Sequence, residues 1–141
     1  MPLIAKLLIL AVAAQAFLTV AILVLMGRER VPRVMSGEIA VADIAVDRSA
    51  YPLKARLLSN SFDNQFQLPV LFYVVALLAL LVGGVSWLEG VAAWLFVVLR
   101  YAHAGVHVTT NRVHLRFALF ASGLAVLIIL WLLVLYRLLS A

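Results

Sequence analysis

The sequence predicts an all-α integral membrane protein, a bundle of four spanning helices. Three observations carry that prediction. Apolar residues make up 67% of the 141-residue chain and charged ones only 12%. Mean hydropathy is +1.16, well outside the range of water-soluble domains. The apolar residues also gather into four runs, about 3–26, 68–84, 91–108 and 117–137, with a polar connection over 27–67. A bilayer's hydrocarbon core is about 30 Å thick and takes about 20 apolar helical residues to cross. The whole of residues 1–141 reads as one domain.

The first run, Leu3–Met26, is interrupted only by Lys6, Gln15 and Thr19. Ala14-Gln15-Ala16 resembles a leader cleavage site, but apolar sequence continues from Phe17 to Met26, which suits a retained span. The second run, Leu68–Val82, rises only about 22 Å, so its helix is expected to begin near Pro52, where proline suits a first turn. Its polar residues Arg56, Asn60, Asp63, Asn64 and Gln67 then cluster within about 80–100° of the helix surface. Pro69 is expected to kink this helix. Gly83-Gly84-Val85-Ser86 and Glu89-Gly90 bracket a tight connection, which predicts that the second and third helices are antiparallel neighbours.

The third run is the most informative. Val91–Leu99 rises only about 14 Å before Arg100, roughly half of the hydrocarbon core. A helix that crosses here must carry Arg100 and His103 into the bilayer and His107 near its edge. These three fall within about 60° of one another. Ionisable groups at that depth face a bundle interior or a wet cavity and mark a functional site. Thr109-Thr110-Asn111 separates this helix from the last and offers an N-cap, with Arg112 and Arg116 one turn apart at the start of the fourth.

Charge sets the expected orientation. Arg28, Arg30, Arg33, Arg48, Lys54 and Arg56 lie in the first connection, with Arg100, Arg112 and Arg116 around the third. Only Lys6 and Arg137 lie on the other side, so both polar connections are expected in the cytoplasm and both termini outside. The net charge of +5 comes from sparse basic residues at helix ends, and nucleic acid is not an expected partner. The arginines at 28, 30 and 33 read as an interfacial anchor. There is no cysteine. The chain therefore has no thiol nucleophile of its own, and sulfur for any thiol chemistry must arrive on a substrate.

Three polar stripes thus meet at one membrane depth, where several arginines and histidines face at most one acid, Asp63. Arginine offers a planar fork for carboxylates, and Asn64 and Gln67 add amide donors and acceptors. A small acidic peptide such as glutathione fits that inventory, and a nearby arginine favours its thiolate. The plainer reading is structural: interhelical hydrogen bonds, with an Arg100–Asp63 ion pair fixing register. Metal binding by His103 and His107 at i, i+4 is weaker, since no carboxylate adjoins them and Arg100 repels a cation. A transporter is also weaker, because neither internal repeats nor paired helix breaks are present. Trp87, Trp94 and Trp131 read as interface or packing aromatics.

These residues resemble a known family. The block from Asn60 through Asp63, Asn64 and Gln67 to Pro69 is similar to the MAPEG family's Asn-x-x-Glu stretch and nearby proline. Arg100, His103 and His107 resemble its Arg-x-x-His-x-x-x-(Tyr/His) signature, and Asn111 to Phe117 its Asn-Arg start of the last helix. MAPEG denotes membrane-associated proteins in eicosanoid and glutathione metabolism, and this chain looks like the bacterial branch, which implies a plasma-membrane location. The resemblance implies a homotrimer with glutathione as co-substrate between subunits, acting on a lipophilic molecule as a transferase or peroxidase. It implies Arg116 as the residue stabilising the thiolate, with Arg112 as an alternative. Asn64 would contact glutathione, with Arg56, Asn60, Gln67, Arg100, His103, His107 and Arg112 completing the binding set. Gln67 stands where the family usually has glutamate, and His107 where well-studied eukaryotic members have tyrosine. Some members bind lipid and assist partners without catalysis, which keeps a scaffold reading open.

Overall fold

The computed structural model describes residues 1–140. It contains helices α1 (Leu3–Met35), α2 (Leu53–Asp63), α3 (Leu68–Val82), α4 (Trp87–Val108) and α5 (Val113–Ser140). A 3-10 turn at Asn64–Phe66 joins α2 to α3, and another occupies Val41–Ile44 of the first connection. Among the described residues, α2 and α3 together make one of four helices long and apolar enough to cross a membrane. The protein is an all-α, multi-pass integral membrane protein. Its outward side chains fit that solvent: Phe17, Val20, Leu77, Leu81, Ile128 and Leu132 are all exposed.

Close packing runs around a ring, from α1 to α4, α4 to α5, α5 to α3 and α3 back to α1. The expectation that the second and third segments are antiparallel neighbours is met by packing only along the first part of the second helix, where α2 packs on α4; α3 packs on α1 and α5 instead. Helices α3 and α4 lie across the bundle and meet through large side chains, Phe72 stacked on Phe96 with ring centroids 4.8 Å apart. The connection between them can cross the bundle end because Gly83 and Gly84 take positive φ, +74° and +64°, conformations that cost glycine little. Around the two phenylalanines, Leu8, Val75, Ala79, Ala93, Leu127 and Leu130 form the core.

Helix α2 begins at Leu53, next to Pro52, which stands one position before the first turn as the N-cap. The break after Asp63 changes partners: α2 packs on α1 and α4, whereas α3 packs on α1 and α5. Pro69, whose imide nitrogen cannot donate, sits in the first turn of α3 and so lies at the break. Beyond the break the continuous helix has moved from one neighbour to another, and α2, α4 and α5 diverge around a space. That divergence positions the site.

Helix α4 starts with a capping box. Glu89 N–H donates to Ser86 Oγ at 3.3 Å and Ser86 N–H to Glu89 Oε2 at 2.8 Å. Its aromatic edge binds α1: Trp94 Nε1 donates to Leu7 O at 3.0 Å and Tyr101 OH to Ala14 O at 2.8 Å. At the other end the Thr-Thr-Asn turn spends its side chains away from capping. The Thr109 hydroxyl donates back to Gly105 O at 2.6 Å, and Asn111 accepts from Arg116 Nη1 at 2.5 Å. Asn111 has φ +48°, in the left-handed region that asparagine tolerates better than most residues.

A cationic cavity at the break in the second helix

Where α2 ends, a cavity of about 260 Å³ is lined by Asn64, His103, Val113, Arg116, Phe117 and Phe120. One wall is the end of α2, one is α4, and one is the first two turns of α5. Arg100 is one turn before His103 on α4 and is 1% exposed. Its Nη2 donates to Asn64 O at 3.1 Å. This bond follows from the partner change at Asn64, because the 3-10 turn leaves that carbonyl without a regular α-helical donor. The Arg100 Nε and Nη1 and the His103 Nδ1 are buried with no hydrogen-bond partner among the described residues.

His107 is 3% exposed, and its Nδ1 lies 3.5 Å from Asn64 Nδ2. The Asn64 amide also donates to Asn60 O at 2.9 Å, which fixes the side chain's rotamer. His103 and His107 meet edge to face, 5.8 Å between centroids, and His103 also adjoins Phe120 at 6.0 Å. The carboxamide of Asn111 holds the Arg116 guanidinium against this cavity. Arg116 lacks a carboxylate partner among the described residues, as does Arg100.

Asp63 is engaged elsewhere, and the suggested Arg100–Asp63 ion pair does not form. Arg48 of the first connection takes that carboxylate in a two-point contact, 2.6 and 3.2 Å. The distant chain segment wins because Asp63 is exposed, facing outward at the end of α2, whereas Arg100 faces inward. The carboxylate holds Arg48 above its ordinary pKa. Beside this pair, two donors from Ser49 hold the Asp47 carboxyl below the usual carboxylate range. With Asp63 facing outward, the cavity has Arg116 in its lining, Arg100 buried one turn from His103 on α4, and no acid among the lining residues.

The remaining predicted residues divide. Arg56 and Asn60 line a separate, open groove of about 510 Å³ with Asp47, Arg48 and Asn111. Asn111 borders that groove and holds Arg116 at the cavity, so one side chain links the two spaces. Arg112 is exposed and lies outside the cavity lining, and Gln67 is exposed at the break. The sequence reading missed a buried amide pair behind Asn64. Gln15 Nε2 donates to Gln65 Oε1 at 3.1 Å, and Gln65 Nε2 donates to Ser61 O at 3.0 Å. This pair pins the 3-10 turn to α1. Gln15 was visible as a rare polar residue in a long apolar run, a position that should face protein in a bilayer.

This arrangement can desolvate and neutralise an anion. Unsatisfied buried donors cost about 1–3 kcal/mol each, and more when charged. The cost rises in hydrocarbon, where no water competes. An acidic guest with several acceptors removes that cost, and neutral imidazoles can accept as well as donate. Phe117 gives the cavity an apolar edge at the surface of the chain, since the residue is 71% exposed.

No match was found among curated proteins or among solved structures. A model of the MAPEG family matches residues 8–136, nearly the whole chain, including both helix-break and third-helix blocks. The chain belongs to the MAPEG family of glutathione-related membrane proteins.

Proposed function

We propose that the protein is a glutathione-dependent membrane transferase or peroxidase in which Arg116 holds the glutathione thiolate. The observation that carries this reading is the cavity in which Asn64, His103 and Arg116 converge with no acid in its lining, with the buried, unpartnered nitrogens of Arg100 one turn before His103 on the same helix. The carboxylates of glutathione would engage Arg100, with Arg56 or Arg112 reached as the peptide extends toward the neighbouring groove. Asn64, His103 and His107 would bind its amides, with Asn60 and Gln67 nearer the outer rim. A guanidinium beside the sulfur stabilises the charged form and raises the thiolate fraction at neutral pH. That thiolate then attacks an electrophilic carbon arriving from the lipid past Phe117. A carbon–sulfur bond forms as the bond to the leaving group breaks.

A homotrimer in the plasma membrane, with both polar connections in the cytoplasm, completes the proposal. One chain leaves Arg56, Asn60 and Arg112 exposed at the rim of the cationic region, and a neighbouring subunit would enclose them. The test is thiolate absorbance on adding glutathione to purified protein. Arg116→Ala should lower the signal at neutral pH by about tenfold or more, the effect of one lost charge-assisted hydrogen bond, with the helical fold unchanged. An unchanged signal would reject the role of Arg116. The rival, a non-catalytic lipid-binding scaffold, draws on Gln67 standing exposed where the family usually has an acid. It gains if calorimetry finds no glutathione binding at millimolar ligand.

A further inference from the structure

The wall of the cavity that carries Asn64 is held by a residue outside the cavity. The buried face of α1 repeats every three or four residues, at Ile4, Leu8, Ala11, Gln15, Leu18 and Ile22. Five of these are apolar, and the sixth, Gln15, is 0% exposed. A lone polar residue in an apolar seam costs stability and specifies register. The cost is visible here. Gln15 Oε1 is buried with no hydrogen-bond partner among the described residues, as is Ser61 Oγ in the last turn of α2.

The register is set from both sides. Ser61 O can only accept, so it turns the amide nitrogen of Gln65 toward α2 and leaves Gln65 Oε1 facing α1. Only a donor completes that contact, and Gln15 Nε2 supplies it at 3.1 Å. The residue before each glutamine is engaged as well. Ala14 O accepts from Tyr101 OH at 2.8 Å, and Asn64 O accepts from Arg100 Nη2 at 3.1 Å. Arg100 and Tyr101 are themselves adjacent on α4. Three bonds between three pairs of chain neighbours thus close a circuit from α4 to α1, on to the 3-10 turn and back to α4. Opening the circuit at Gln15 frees the turn that carries Asn64. Arg116 is held separately, by Asn111.

We infer that Gln15 is a positioning residue for the acidic guest. Through Gln65 it fixes Asn64, and with it the Arg100 guanidinium bonded to Asn64 O, and so it sets affinity without acting on the thiolate. Gln15 itself lies outside the cavity lining. This role rests on the glutathione reading proposed above.

The test compares wild-type protein, Gln15→Leu and the double variant Gln15→Leu/Gln65→Leu in detergent. Three quantities are read: glutathione affinity by calorimetry, thiolate absorbance at saturating glutathione, and the denaturant midpoint. Gln15→Leu leaves Gln65 Oε1 buried and unpaired, so its midpoint should fall. Its glutathione affinity should fall about fivefold, the effect of one neutral hydrogen bond. The thiolate fraction at saturation should match wild type, because Arg116 keeps its own support. In the double variant neither amide is left unpaired, so the midpoint should return toward the wild-type value while affinity stays low. Affinity that recovers together with stability would make the pair purely structural and overturn the inference. So would unchanged affinity in folded Gln15→Leu, or a thiolate fraction that falls in step with affinity. If Gln15→Leu does not fold, the double variant decides by the same readings. Wild-type protein that binds no glutathione would defeat the functional reading and this inference with it, whereas wild-type binding with both variants unaltered would defeat this inference alone.

Discussion

Two arginines sit at opposite ends of the bundle, and their surroundings differ in one respect. Arg137, near the end of α5, donates through Nε to Glu89 Oε1 at 2.9 Å, through Nη2 to Ala79 O at 3.1 Å, and through Nη1 to Gly83 O. It thus joins an acid that is 0% exposed at the start of α4 to the last carbonyls of α3. Arg100 makes one bond, to a backbone carbonyl, and has two buried nitrogens without a partner. The first guanidinium completes a clamp across the diagonal that the two glycines bridge. The second is left with unused capacity. In a low-dielectric interior a charge that is matched reads as structure, and one that is unmatched reads as a place for a guest.

Substitutions at the two ends should therefore separate stability from binding. The largest effect is expected at Glu89→Ala, which leaves Arg137 uncompensated and removes the side chain of the capping box. Breaking a buried pair costs about 3–5 kcal/mol, to be read from denaturant unfolding in detergent, with glutathione affinity per folded molecule unchanged. Arg100→Met should reverse that pattern. An apolar side chain here removes the cost of burying a charge without an acid partner, which offsets the lost bond to Asn64 O, so unfolding should hold or shift upward. Calorimetry should find glutathione affinity down by about 10- to 100-fold, the range of a bond to a charged group at about 1.5–3 kcal/mol. If Arg100→Met instead unfolds the protein as Glu89→Ala does, the distinction between the two ends fails.

A finer test lies at Asn111. Asn111→Gly keeps the left-handed turn and removes the carboxamide that holds Arg116. The thiolate signal should fall by about tenfold, in the range of one hydrogen bond to a charged group, and added salt should not restore it. The smallest effect is expected at Asp63→Asn. Its pair with Arg48 is half exposed, with side-chain exposures of 40% and 50%, and exposed pairs contribute about 0–1 kcal/mol. Unfolding should move by less than 1 kcal/mol, and glutathione affinity should stay within about twofold.

The sequence made the spans legible because apolar runs of bilayer length have few alternatives, and the shortness of Val91–Leu99 brought attention to Arg100 and His103. Both prove buried, as does His107. The arrangement of helices was less accessible. A four-residue connection suggested adjacency; α2 does pack on α4, but two glycines with positive φ let α3 lie across the bundle from it, and only packing reveals which pairs are in contact. The ionic partners were hidden for a related reason. Arg137 and Glu89 are 48 positions apart, and Arg48 reaches Asp63 across a turn of the connection, so helical spacing could not pair them. Periodicity placed Arg56, Asn60, Asn64 and Gln67 on one stripe. The change of partner at the 3-10 turn then distributed them between a groove, a cavity and an exposed edge.

A structure determined with millimolar glutathione bears most directly on the central claim that the unmatched end of the bundle receives an acidic guest. The account predicts density for the tripeptide against Asn64, His103 and Arg116, with its sulfur on Arg116 and a carboxylate on the free nitrogens of Arg100. Density elsewhere, or an empty cavity with Arg100 and Arg116 turned to separate outer surfaces of the assembled protein, would contradict it.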